Sequence, residues 1–325
     1  MTRTFVVVGA STGLGRETAR RLARDHRVIV AGRDVERMRA AVPDAHATLR
    51  VDLADLADVA RFTDELSAHG PLDGVVCNAG IQHTHATVYT RDGFEETFAV
   101  NHLAHFAIAM RVVPQLAPGA RLAFIGSGTL DPDDRGARRF GFRGGRYSDA
   151  RSLARGDGDP TADAGQLARD RYATSKLCNL LTMAAIARRV PASRFAAFAI
   201  DPGLMPGTGL ARHRPAVIRL LWHTVMRVAA LAIPRTSTAR RSGAALAWLL
   251  TAPALDGTTG RYFDFRRREL TGWFGVDRTD WAEELYASSL TLVGIERDPL
   301  RAGSIQTCQA ETHASGSPEA TAPRA

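Results

Sequence analysis

Short, almost wholly apolar runs alternate with helix-patterned stretches through the first two hundred residues. Residues 5–8, 28–31, 48–51, 74–77, 121–125 and 195–200 read as strands. Their near-continuous apolar character suits strands buried on both faces of a parallel sheet. Between them, residues 16–24, 55–68, 94–116 and 172–189 carry helical periodicity. Repeated strand–helix alternation predicts an α/β fold, a single Rossmann-type doubly wound parallel sheet flanked by helices. A further strand at 260–265 would bring the sheet to about seven strands. No shift in composition divides the chain before its tail, so residues 1–300 are expected to form one domain.

Three stretches exceed this plan. Residues 131–170 are rich in Gly, Arg and Asp and poor in apolar periodicity; an insertion that long without elements of its own is expected to be functional or disordered. Residues 215–233 are apolar with helical period, and Arg219, His223 and Arg227 fall on one stripe. That segment reads as a lid over a substrate cleft, as an interfacial helix in peripheral contact with a membrane, or as a helix packed on the body; the lid is the favoured reading. Residues 301–325 are small and polar, the composition of a disordered tail.

The 45% hydrophobic and 23% charged content is that of a soluble globular protein. The net charge of +8 comes from dispersed arginines, without the clustered basic stripe that marks a nucleic-acid partner. Cys77, Cys178 and Cys308 fit neither a disulfide framework nor a zinc spacing. They suit a reducing cytoplasm. The apolar N-terminal run is too short for a secretion signal, and no stretch has the length of a membrane span. Oligomeric state is left open.

The first strand runs into Gly9-Ala10-Ser11-Thr12-Gly13-Leu14-Gly15, ahead of a helical pattern. Glycines there let the backbone approach a pyrophosphate, and the helix N-terminus offers free N–H groups to it. The second strand ends in Gly32-Arg33-Asp34. Gly32 replaces the acidic residue that would hold a ribose 2′-hydroxyl, and Arg33 can pair with a 2′-phosphate, which favours NADP(H) over NAD(H). The alternative makes Asp34 the ribose ligand.

Of 42 basic residues a single one, Lys176, is a lysine, and it stands four residues after Tyr172. On a helix the two share a face, with Cβ atoms about 5–6 Å apart. An ammonium about 5 Å from a phenol, at an effective dielectric of about 20, favours the phenolate by roughly 3 kcal/mol, about two pKa units. The spacing therefore predicts a tyrosine tuned downward for proton transfer. Ser127, after the fifth strand, could hydrogen-bond the same substrate oxygen.

Taken together, the glycine loop, Asp52-Leu53, Cys77-Asn78-Ala79-Gly80, Asn101, Ser127, Tyr172-x-x-x-Lys176 and Pro202-Gly203 resemble the short-chain dehydrogenase/reductase family over about residues 4–298. The resemblance implies Tyr172 as general acid/base and Lys176 as the group that lowers its pKa and bonds the nicotinamide ribose. It implies Ser127 as the substrate-orienting hydroxyl and Asn101 as the support of a water-borne proton relay. Asp52 and Leu53 would flank the adenine, and Asn78, Ala79 and Gly80 would line the cofactor cleft. Asn101 to Phe106, Tyr172 to Met183 and Gly207 to Leu210 are similar to the light-dependent protochlorophyllide reductases and their retinol-dehydrogenase-like relatives. The long spacing from Ser127 to Tyr172 agrees. Two departures stand out. Leu204 follows Pro202-Gly203 where the chlorophyll-pathway reductases carry cysteine. The family's nicotinamide-binding threonine is Gly207, with Thr208 beside it as a substitute. The expected activity is hydride transfer between NADP(H) and a carbonyl or alcohol of a bulky apolar substrate. Alternatives are reduction of a ring carbon–carbon double bond and a non-catalytic NADP(H)-binding regulator.

Overall fold

A computed structural model describes residues 2–85, 87–205 and 235–301. Thr208, the expected lid at 215–233 and nearly all of the expected tail lie outside the described residues. Seven strands form one parallel sheet: β1 (Thr4–Val8), β2 (Arg27–Gly32), β3 (Ala47–Arg50), β4 (Leu72–Cys77), β5 (Leu116–Ile125), β6 (Phe195–Asp201) and β7 (Arg261–Asp264). Their order is β3-β2-β1-β4-β5-β6-β7. The order reverses between β1 and β4, the switch point at which open α/β sheets bind ligands beyond the strand carboxyl ends.

The apolar runs form strands because both faces are covered. Phe5, Val7, Val28 and Val30 point into one core layer, beneath the helices α1 (Gly13–Leu22) and α2 (Val35–Ala41). Val6, Val8 and Ile29 point into the other. That second layer is closed by α3 (Leu56–Leu66), by α4 (Glu96–Phe98) and α5 (Ala104–Arg111), which a π-helical turn at Ala99–Leu103 joins, and by a long helix described below. Cys77 and Cys178 are buried free thiols in this layer.

Residues 131–170 are not an extended irregular loop. They contain α6 (Arg135–Arg139) and α7 (Ala150–Arg155), and the following helix α8 (Ala164–Arg189) starts eight residues before Tyr172. Asp134, Asp149 and Asp163 each cap a helix by accepting from a backbone N–H, worth about 1 kcal/mol apiece. These helices are too short, or too evenly buried, to reveal an apolar stripe. α8 is buried on almost every side from Ala173 to Met183, between the sheet and α10 (Thr279–Leu292). The remaining helix, α9 (Ala239–Thr251), packs against α1. No described helix is long and apolar enough to cross a membrane.

Candidate active site

A cleft of about 950 Å³ opens at the carboxyl ends of the strands. Its walls include Gly9, Ser11, Thr12, Gly13, Leu14, Arg33, Asp52, Leu53, Asn78, Ala79, Gly80, Ser127, Tyr172, Lys176, Pro202 and Gly203. The sequence-derived candidates outside this wall are Gly15, Asn101 and Thr208. Gly15 packs directly behind it. Asn101 is fully buried one layer back. Thr208 lies outside the described residues.

The glycine loop is built by close backbone approach. Gly9 has a φ of +85°, and a side chain there would meet Ala79 at 2.7 Å. A Cβ on Gly15 would fall 2.3 Å from the Gly9 carbonyl oxygen. Asn78 ties the loop to the end of β4, its Nδ2 donating to the carbonyls of Val8 at 3.1 Å and Gly9 at 3.0 Å. The helix that follows is left open. Thr12 makes no side-chain cap on α1, and the first turn holds no acidic residue. Its unpaired N–H groups and partial positive charge therefore face the cleft, a ready anion site. The neighbouring α2 differs: Asp34 caps it, Oδ1 accepting from the Arg37 N–H at 2.9 Å. That carboxylate is engaged at the helix start. Arg37, which the sequence reading passed over, lines the cleft with Arg33. Its signal was available, since it stands in the first turn of the helix that Asp34 caps, close in sequence to Arg33.

Beyond the loop stand the candidate catalytic groups. Lys176 is buried and Tyr172 half-buried on α8, and the ammonium lies 5.6 Å from the centre of the phenol ring. A methyl on Gly80 would sit 3.1 Å from Asn101 Oδ1 and 3.4 Å from Lys176 Nζ, so the three meet at one point of the wall. Asn101 sits in the π-helical turn. Its Oδ1 accepts from the Ile81 N–H at 2.8 Å, and its Nδ2 donates to the Ile81 carbonyl at 2.9 Å and to Ser175 Oγ at 3.0 Å. Ser127 Oγ accepts from the Thr129 N–H at 3.2 Å and from its hydroxyl at 3.0 Å. Both acceptor positions of Ser127 are filled, and its own O–H remains to donate.

The electrostatics correct one expectation. The Tyr172 phenol is not drawn down. Burial, with the Asp201 carboxylate second, pushes it up to about 12. Burial likewise brings Lys176 from an ordinary 10.5 down to about 8. The simple pair estimate omitted the cost of removing a phenolate from water, which is the largest effect here, ahead of the Asp201 carboxylate. Asp201 is itself buried, and burial raises its carboxyl. Its Oδ1 accepts from the Gly203 N–H at 2.9 Å. At neutral pH this cleft holds a protonated phenol beside an ammonium, the charge state of a proton donor.

The residues present fit a dinucleotide. The glycine cradle has no room for side chains, the open helix end offers N–H donors, and the buried Lys176 lines the cleft. His83, after the fourth strand, bonds Glu96 at 2.7 Å. Among the described residues no cluster of His, Cys, Asp and Glu is arranged to hold a metal ion.

Comparison with known proteins agrees with this geometry. A family profile described as short chain dehydrogenase matches residues 3–130. The chain is 33% identical over 306 residues to the proposed daunorubicin C-13 ketoreductase of Streptomyces sp. (strain C5), covering 90% of this chain and 93% of that one. It is 33% identical over 248 residues to the chloroplastic protochlorophyllide reductase A of Oryza sativa subsp. japonica, covering 68% of this chain and 62% of the rice protein. Among solved structures, an uncharacterized protein from Mycobacterium paratuberculosis superposes with a TM-score of 0.64 at 26% identity, covering 90% of this chain and 93% of that one. A short chain dehydrogenase from Burkholderia cenocepacia J2315, solved in complex with NADP, superposes with a TM-score of 0.58 at 23% identity, covering 81% and 95%.

Proposed function

Because the chain belongs to the short-chain dehydrogenase/reductase family, and is thus an oxidoreductase, we propose that it reduces a carbonyl group on a bulky, largely apolar substrate at the expense of NADPH. The observation that carries this reading is the Lys176 ammonium 5.6 Å from the Tyr172 ring, with both side chains in the wall of the cleft. Bound NADPH would supply the hydride that reduces the carbonyl carbon. Tyr172 then donates its proton to the carbonyl oxygen, completing the alcohol. Lys176 stabilises the phenolate left behind, and Ser127 donates its free O–H to the same oxygen. Asn101 buttresses the Lys176 end of this wall through Ile81 and Ser175. Gly9 to Gly15 and the open end of α1 would hold the pyrophosphate, with Asp52 and Leu53 about the adenine and Asn78 to Gly80, Pro202 and Gly203 about the rest. Thr208 is kept as the proposed partner of the nicotinamide amide. The preference for NADP(H) is supported by Arg33 and Arg37 together on the wall while Asp34 is occupied in capping. Apolar groups at the mouth, among them Ile81, Phe140, Phe142 and Met205, support a bulky apolar substrate.

The test uses NADPH carrying deuterium at both C4 positions and a panel of aromatic aldehydes and ketones. The expected result is consumption of NADPH with deuterium on the former carbonyl carbon. Product free of deuterium would contradict direct hydride transfer. Identity to protochlorophyllide reductases favours a second reading, reduction of a ring double bond. Loss of the protochlorophyllide absorption band with NADPH only after illumination would support it.

A further inference from the structure

Arg169 precedes Tyr172 by three residues on α8, so the two side chains leave the helix on one face. Both line the cleft. Arg169 is half-buried, and its hydrogen-bond partner is a neutral side chain. Its Nε and Nη2 donate to Gln166 Oε1 at 3.2 and 2.9 Å. Gln166 is oriented from its other end, where Nε2 donates to Asp170 Oδ1 at 2.7 Å. Asp170 is in turn paired with Arg143. Arg235, another arginine of the cleft wall, is paired with Asp134. Arg169 has a neutral partner instead and, among the described residues, no ion pair. A guanidinium carries five N–H donors, and the amide oxygen takes up only two of its groups. A half-buried cation held in place by a neutral acceptor keeps its charge for something else. Beside it the ring of Phe142 lies 6.1 Å from that of Tyr172. The exposed ring of Phe140 lines the same wall.

We propose that Arg169 is a specificity-determining residue that receives a carboxylate carried by a planar aromatic substrate, whose ring lies along Phe142 while its carbonyl meets Tyr172. This deepens the reductase reading and rests on it for the position of the reacting carbon. The three-residue step separates the anchored anion from the reacting carbonyl by about one helical turn plus the reach of the arginine. The substrate is then fixed at two points, which selects among carbonyl compounds of similar bulk.

The test compares anthraquinone-2-carboxylate with its methyl ester, by calorimetric titration of the protein saturated with NADP+. For the unmodified protein the carboxylate is expected to bind at least about tenfold more tightly than the ester. Arg169→Met removes that difference, Arg169→Lys keeps part of it, and both leave NADPH affinity within twofold. Arg169→Gln serves as the neutral variant if the methionine variant melts early. Equal affinities in the unmodified protein, binding of neither compound, a preference that survives Arg169→Met, or a large loss of NADPH affinity would each overturn the proposal. A carboxylate preference that depends on Arg169, without NADPH oxidation by any carbonyl compound, would instead sink the reductase reading and leave the anchor standing.

Discussion

Lys176 is held where it costs the fold and serves the site. Burial lowers it from 10.5 to about 8. Each pKa unit is about 1.4 kcal/mol, so keeping the charge at pH 7 costs about 3 kcal/mol. A lysine with a depressed folded pKa is destabilising below that pKa. Between about pH 8 and 10.5 the unfolded chain binds the proton that the folded protein has lost, so stability rises with pH across that window. Lys176→Met is accordingly expected to stabilise the cofactor-free protein by up to about 3 kcal/mol at pH 7, while abolishing turnover. The gain should disappear above about pH 10.5. Denaturant unfolding at several pH values checks this, and a destabilised methionine variant would contradict it. The pairing of Lys176 with Tyr172 could be read from their spacing. The upward shift of Tyr172 could not, because it depends on burial and on Asp201, which is 29 positions further along and reaches the site only through the sheet.

Among the elements, α2 bears on cofactor choice. Arg33, just before the Asp34 cap, and Arg37, in the first turn of α2, are exposed and share the cleft wall. Replacing both by alanine is expected to weaken NADPH binding by about tenfold or more and to change NADH binding little, since only NADPH has the 2′-phosphate. Fluorescence titration with both cofactors decides, and an equal loss for both would refute the assignment. The strands were legible because parallel strands buried on both faces are written as continuous apolar runs. The helices of residues 131–170 were not. Their signals are the capping residues Asp134, Asp149 and Asp163, which in an Asp-rich stretch look like any other charge. α8 hid its first turns for a related reason, since Ala164 to Arg171 are mostly half-buried, many of them polar, and carry no apolar stripe.

At the scale of the whole molecule, α9 and α1 pack side by side in one layer over the sheet, and α1 begins at the glycine loop. Gly243 lets these helices meet closely: a Cβ there would fall 2.7 Å from Glu17 Cβ and 3.0 Å from the Glu17 backbone. Gly243→Leu should therefore cost about 1–3 kcal/mol and, by moving α1, weaken NADPH binding; thermal unfolding with and without NADPH measures both. The sheet order and the cleft at its switch point follow from the alternation of strand and helix. The closeness of α9 to α1 does not, because a lone glycine in a helix does not name its neighbour. The account as a whole rests on Tyr172 as the proton donor. The most direct measurement is NADPH titration and single-turnover reduction by Tyr172→Phe, which removes one oxygen and leaves the ring beside Lys176. The account predicts unchanged NADPH affinity with turnover reduced by about a hundredfold or more. Turnover equal to that of the unmodified protein would contradict it.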